Sequence, residues 1–255
     1  MEAEAAFASA SAEPFVPHYT PILATRQRRS AREPAALCMP RRRVEWANRA
    51  VNILLAVLAL IVLSPLIALI AALIRLTSPG PVIYTQDRVG VNRRRRRTQA
   101  LYDRRGVDAG GLVFTIYKFR TMRNDAERCS GAVWATANDP RITRIGRILR
   151  QYRIDELPQL LNVIRGDMNI VGPRPERPTI FADLRARITD YQQRQRARPG
   201  ITGWAQVNSA YDASLDDVRA KVRYDLEYLE RQSLAEDVKI MLRTVPVMLF
   251  KRGGL

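Results

Sequence analysis

The chain has 255 residues, room for one domain or two small ones, and 47% of them are hydrophobic, enough for a real core. Its net charge of +17 calls for an anionic partner, which leaves nucleic acid, anionic lipid and phosphorylated substrates in play. A single histidine, His18, disfavours histidine triads and histidine metal sites, so acid and base chemistry falls to Asp and Glu.

Residues 1–44 are rich in Ala, Pro, Arg and Ser with little periodicity and read as a disordered basic tail. The start Met1-Glu2-Ala3-Glu4 lacks the basic residues of a secretory signal, and no apolar run follows soon enough. Cys38 and Cys129 fall in a tail and a loop, which predicts free thiols in a reducing compartment.

Residues 50–74 form one long apolar run, interrupted by Asn52, Ser64 and Pro65. As a straight helix it would measure ~37 Å, against a bilayer core of roughly 30 Å. Pro65 removes a backbone donor near the middle, so the pattern predicts a helix that kinks or breaks at Ser64-Pro65. The halves, ~21 Å and ~15 Å, are each too short to cross. Arg41, Arg42, Arg43 and Arg49 precede the run, while Arg75, Arg88 and the arginines at 93–97 follow it. Both ends therefore claim the cytoplasmic side. A hairpin that enters one leaflet and returns satisfies both; a kinked single-pass helix and a buried core helix are the alternatives.

Pro81-Val82-Ile83-Tyr84 and Leu112-Val113-Phe114-Thr115-Ile116-Tyr117-Lys118-Phe119 read as strands. Between them, residues 92–111 form a basic, Gly-containing insertion that suits a solvated loop near anionic headgroups. Ile142, Ile145, Ile148 and Leu149 recur at helical spacing beside a row of Arg141, Arg144, Arg147 and Arg150. A second helix is expected from near Asp155 through Leu160, Leu161 and Ile164 to Gly166, with Pro158 in its first turn and Asp155 at or near the N-cap. Helices are also expected over 179–196 and 214–250. Tyr224, Tyr228, Leu229 and Met241 suit core packing more than an interfacial face, and Trp204 suits either.

The most telling residues are Asp155 and Glu156, in Arg153-Ile154-Asp155-Glu156-Leu157-Pro158-Gln159-Leu160. Lys118-Phe119-Arg120 lies upstream, and Gly172-Pro173-Arg174-Pro175 presents Arg174 between two rigid prolines downstream. A carboxylate pair among fixed cations is what phosphoryl chemistry needs: one acid to attack or hold a metal, and cations to bear phosphate charge. A plain helix cap at Asp155 is the competing reading.

Several stretches, in order, resemble the bacterial sugar transferases, the monotopic phosphoglycosyl transferases of exopolysaccharide and O-antigen initiation. They are Gln86-Asp87-Arg88-Val89-Gly90, Phe114-Thr115-Ile116-Tyr117-Lys118-Phe119-Arg120-Thr121-Met122, Asp139-Pro140-Arg141-Ile142-Thr143 and Asp155-Glu156-Leu157-Pro158-Gln159-Leu160-Leu161-Asn162-Val163. Gly166-Asp167-Met168, Val171-Gly172-Pro173-Arg174-Pro175 and Pro199-Gly200-Ile201-Thr202-Gly203 complete the set.

The resemblance implies a helix-rich α/β monotopic membrane protein with few short strands, a re-entrant helix-break-helix at Ser64-Pro65 and amphipathic interfacial helices. It implies a tail at 1–44, a membrane hairpin at 45–76 and a catalytic domain at 77–255 that faces the cytoplasm from the bacterial inner membrane. It implies transfer of a sugar 1-phosphate from a UDP-sugar to polyprenyl (undecaprenyl) phosphate, with release of UMP. Asp155 would be the nucleophile, and Asp155 and Glu156 would hold Mg2+. Lys118, Arg120, Arg150 and Arg174 would bind phosphates, and Gln159, Gly172, Pro173 and Pro175 the nucleotide. Partners would be the two substrates and anionic lipids, with no nucleic acid and room for a homo-oligomer. The 92–111 insertion is longer than the family's short turn, and the extra N-terminal spans of larger members are not expected. A basic, membrane-tethered protein that binds nucleic acid or anionic lipid is the alternative, and UMP release would separate the two.

Overall fold

Unbroken Leu, Ile and Ala favour a helix, and the longest element is α1 (Glu45–Thr77), 33 residues with Glu45 in the first turn and Arg75 in the last. The computed structural model describes residues 45–92, 110–124, 126, 139–209 and 214–249. The expected tail at 1–44, the two cysteines, His18 and most of the basic insertion lie outside the described residues.

The expected break at Ser64-Pro65 is corrected, because α1 is helical straight through it. Proline deprives the carbonyl four residues back, that of Ile61, of its amide donor. Ser64 Oγ donates to that Ile61 carbonyl at 2.8 Å and takes the amide's place.

Both arms of α1 lie against the same body. Ala56, Ala59 and Leu60 pack with Ile116, Leu160, Val163 and Met168. Ile67, Ile70, Ala71 and Ile74 pack with Phe119, Leu149 and Leu157. Between the arms, Ile61, Val62, Leu66 and Leu69 are exposed. Polar contacts fix the first arm further: Arg49 donates to the Val163 carbonyl and, at 2.5 Å, to that of Ile164, and the Ile170 amide donates to Asn52 Oδ1 at 2.7 Å.

The strands are few and short, as expected. β1 (Ile83–Val89) pairs antiparallel with β2 (Val113–Phe119), Ile83 opposite Phe119 and Val89 opposite Val113. β3 (Asn169–Val171) and β4 (Gly200–Thr202) form a separate parallel pair. The helix α2 (Arg144–Gln151) is capped by Thr143, whose Oγ1 accepts from the Gly146 amide at 2.9 Å. Ile145 and Leu149 face the core, whereas Ile148 is exposed and Ile142 bridges to Met122 ahead of the helix.

The helix expected to begin near Asp155 is two elements: a 3-10 turn, Ile154–Gln159, and then α3 (Leu160–Arg165), which stops at Gly166 with φ 97°. Asp155 lies inside the turn and Arg153 occupies the cap, so Asp155 is no N-cap. Of the expected 179–196 helix, α4 (Pro178–Arg187) forms and the remainder is a 3-10 turn, Tyr191–Arg196. After the short α5 (Trp204–Asn208), the expected 214–250 helix divides into α6 (Leu215–Arg231) and α7 (Leu234–Leu249). Ser214 and Asp217 close a capping box at the start of α6. Tyr228 and Leu229 are buried core residues; Trp204 packs on that core, with Lys239 and Arg243 over its ring.

Candidate active site

Arg153 has a φ of 54°, a left-handed conformation rare outside glycine and costing about 1–3 kcal/mol. It turns the chain out of α2 so that the following 3-10 turn buries both Asp155 and Glu156 beside β2. Lys118, from β2, donates through Nζ to Glu156 Oε1 at 2.8 Å. Arg174 donates through Nη2 to the same oxygen at 2.6 Å and through Nη1 to Oε2 at 3.3 Å.

The Arg174 loop is held by its backbone. The Gly200 amide donates to the Pro173 carbonyl, Arg194 to that of Arg174 and Arg88 to that of Pro175, each at 3.0 Å. A Cβ on Gly172 would run into the Arg198 carbonyl, so only glycine permits this close approach.

The two carboxylates have opposite environments. Burial acts to raise Glu156, but Arg174 and Lys118 outweigh it and hold its carboxyl well below the usual range. Asp155 takes no hydrogen bond or ion pair on its carboxylate among the described residues. Burial pushes it up to about 6, with Lys118 pulling it down and the neighbouring Glu156 charge pushing it up. Burial likewise depresses Lys118, against the pull of Glu156.

Arg150 also bears on Asp155, and its Nη1 is buried without a hydrogen-bond partner. Arg153 adds a fourth cation acting on the pair. A low-dielectric site with surplus positive charge, an orphaned donor and one unengaged carboxylate is built to receive an anion.

The structure thus brings together Asp155, Glu156, Lys118, Arg150 and Arg174, with Gln159 buried at the end of the same turn and Gly172, Pro173 and Pro175 forming the Arg174 loop. Arg120, expected among the phosphate-binding cations, is held apart from the carboxylate pair in this structure. Its guanidinium donates to the carbonyls of Ser78 and Pro79 and to Asn124, at 2.6–2.7 Å, and so clamps the connection between α1 and β1. Ser64 and Pro65 are exposed and sit between the arms of α1.

Among the described residues no three His, Cys, Asp or Glu side chains gather into a ready metal cage. Mg2+ needs fewer, since it binds through one or two carboxylates plus substrate phosphates. Asp155 fits that demand. Glu156 does not, because both its oxygens accept from cations.

Sequence reasoning missed Arg153, Arg88 as a brace for the Pro175 carbonyl, and Arg194 with its partner Asp225. Arg88 had a signal, since it stands inside one of the recognised motifs. Backbone strain at Arg153 and a pairing across 31 residues left none.

Fold and site together define a helix-rich α/β protein that, among the described residues, carries one apolar helix of membrane length and a carboxylate centre ringed by cations. Residues 43–251 match the sequence profile of the bacterial sugar transferases, and the chain belongs to that family. It is 41% identical to the UDP-N-acetylgalactosamine-undecaprenyl-phosphate N-acetylgalactosaminephosphotransferase of Aeromonas hydrophila, over 82% of this chain and 45% of that protein. It is 40% identical to the UDP-glucose:undecaprenyl-phosphate glucose-1-phosphate transferase of Caulobacter vibrioides, over 83% and 73%. With the exopolysaccharide production protein PSS of Rhizobium leguminosarum bv. phaseoli it shares 39%, over 81% and 97%. The chain spans less than half the length of the Aeromonas relative.

Proposed function

We propose that this protein transfers a sugar 1-phosphate from a UDP-sugar to polyprenyl phosphate at the cytoplasmic face of a bacterial membrane. One observation carries the reading: Asp155 is buried, unengaged and surrounded by Lys118, Arg150 and Arg174, while Glu156 beside it is fully paired. An Asp155 oxygen attacks the sugar-bearing phosphorus. The bond from that phosphorus to the bridging oxygen breaks, and UMP leaves with the electron pair. An oxygen of the lipid phosphate then attacks the same phosphorus, the bond to Asp155 breaks, and the carboxylate is restored.

Arg150 and Arg174 bear the phosphate charge, and Lys118 and Arg174 lock Glu156, which in turn holds both cations in place. Mg2+ held by Asp155 and the donor's phosphate oxygens would neutralise charge on the diphosphate.

Both arms of α1 rest on one body, which supports a helix that dips into one leaflet with Ile61–Leu69 region deepest and both ends on the cytoplasmic side. Cysteines placed at Trp46 and Leu76, both well exposed, should label from the cytoplasm alike; labelling of one only would mean a crossing.

The direct test of the chemistry is to incubate the protein with UDP-glucose or UDP-N-acetylgalactosamine without acceptor and map the mass gained. A phosphosugar on the peptide carrying Asp155 is expected. Product formed with no such adduct at any time overturns the mechanism.

A further inference from the structure

A cavity of about 150 Å3 lies directly behind the catalytic turn, between it, β4, α5 and α7. Leu157, Leu160, Ile201, Val207, Val247 and Met248 give it apolar walls. Arg153 and Glu156 lie in the same lining and join it to the carboxylate centre. We propose that this cavity seats the first isoprene unit of the acceptor lipid, next to the phosphate that attacks the Asp155 adduct; this rests on the transferase reading above.

Size and chemistry both select that occupant. An apolar cavity of this volume holds a benzene-sized group, about one isoprene unit, and not a long chain. A ligand that joins an apolar group to a phosphate matches a lining of apolar side chains that also includes Arg153, with Glu156 beside it already paired to Lys118 and Arg174.

The donor's uracil has a similar size but needs several polar partners. The Thr202 and Thr244 hydroxyls are bonded to each other at 2.7 Å, and Thr244 also donates to the Ile240 carbonyl. The Gln206 amide nitrogen donates to the Ile201 carbonyl at 3.0 Å, so Gln206 Oε1 is the sole lining side-chain atom buried without a partner among the described residues. One acceptor cannot satisfy the hydrogen-bonding edge of a base. Val247 and Met248 also belong to α7, a helix whose other positions Val238, Leu242 and Val245 are exposed and apolar, so the surroundings of the cavity suit a prenyl chain.

The test uses the two halves of the reaction. Val247→Phe and, from a different helix, Val207→Phe each fill the cavity in the full-length protein, assayed with UDP-glucose or UDP-N-acetylgalactosamine and undecaprenyl phosphate. The stoichiometric release of UMP without acceptor should keep its wild-type rate in both variants, which also shows that they fold. Their kcat/KM for undecaprenyl phosphate should fall roughly tenfold or more. Unchanged acceptor kinetics would overturn the proposal. So would a lost UMP burst with a raised donor KM, which would give the cavity to the base. A wild-type protein that releases no UMP would sink the transferase reading itself, and this proposal with it.

Discussion

The Asp225 cluster and the Asp155 cluster both bury arginine against carboxylate, and they differ in what is left over. Around Asp225 the groups are matched. Arg194 donates through Nε to Asp225 at 2.8 Å, through Nη1 to the Tyr191 hydroxyl at 2.7 Å and through Nη2 to the Arg174 carbonyl at 3.0 Å. Around Asp155 they are not matched: Lys118, Arg150, Arg153 and Arg174 act on the Asp155-Glu156 pair, and among the described residues Arg150 Nη1 has no acceptor and the Asp155 carboxylate no donor. A closed network specifies a fold; an open one is completed by something else. The closed cluster also supports the open one, because Arg194 holds the backbone of Arg174.

Asp155→Asn should break the open cluster's chemistry most severely. Turnover should fall at least about 10^3-fold with the fold intact, measured by UMP release and by thermal unfolding. Wild-type turnover would remove Asp155 from the nucleophile's role.

Asp225→Asn should act oppositely. It leaves Arg194 buried and uncompensated, and should cost about 3–5 kcal/mol in denaturant unfolding. Lys118→Met should cost less, about 2–3 kcal/mol, because Arg174 still engages Glu156. Adding Glu156→Gln to it should recover part of that stability while activity stays lost, which separates pairing from catalysis.

The smallest effect is on pH. Burial pushes the folded protein's Asp155 carboxyl up to about 6 from the ordinary 3.8, so between those values the folded state holds a proton that the unfolded chain has released. Stability is present below the lower value and is lost as pH rises through the higher one. Asp155→Asn should therefore be the more stable protein above pH ~6, by roughly 1–3 kcal/mol. Catalysis needs the ionised form, so kcat/KM for the donor should fall about tenfold per pH unit below pH ~6. A flat profile there would remove the raised carboxyl from the donor half-reaction.

Much of the site was legible because it is local or carried by short motifs: Asp155-Glu156, Lys118 on its strand, and Arg174 between prolines. The apolar run and the few short strands were legible from composition and spacing. At Ser64-Pro65 proline rules allowed a kink or a break, and the helix is not interrupted there, because a hydroxyl can stand in for an amide. The contacts of Arg120 were illegible for a different reason. A cation near a motif looks the same in sequence whether it meets a phosphate or the carbonyls of Ser78 and Pro79. The division between α6 and α7 at Gln232 and Ser233 carried neither proline nor glycine to announce it. The alternative of a basic binding protein rested on net charge, which says how much positive charge there is and not where it converges.

Arg49 grips the last carbonyls of α3, and α3 starts at Leu160, the residue right after the catalytic turn. The apolar helix α1 is thereby coupled to the turn that carries Asp155 by a rod less than two turns long. On the proposed function, bilayer thickness, or a detergent that lets α1 tilt, would become a variable of the reaction rate, and a preparation that is monodisperse in solution would still have its chemistry detuned.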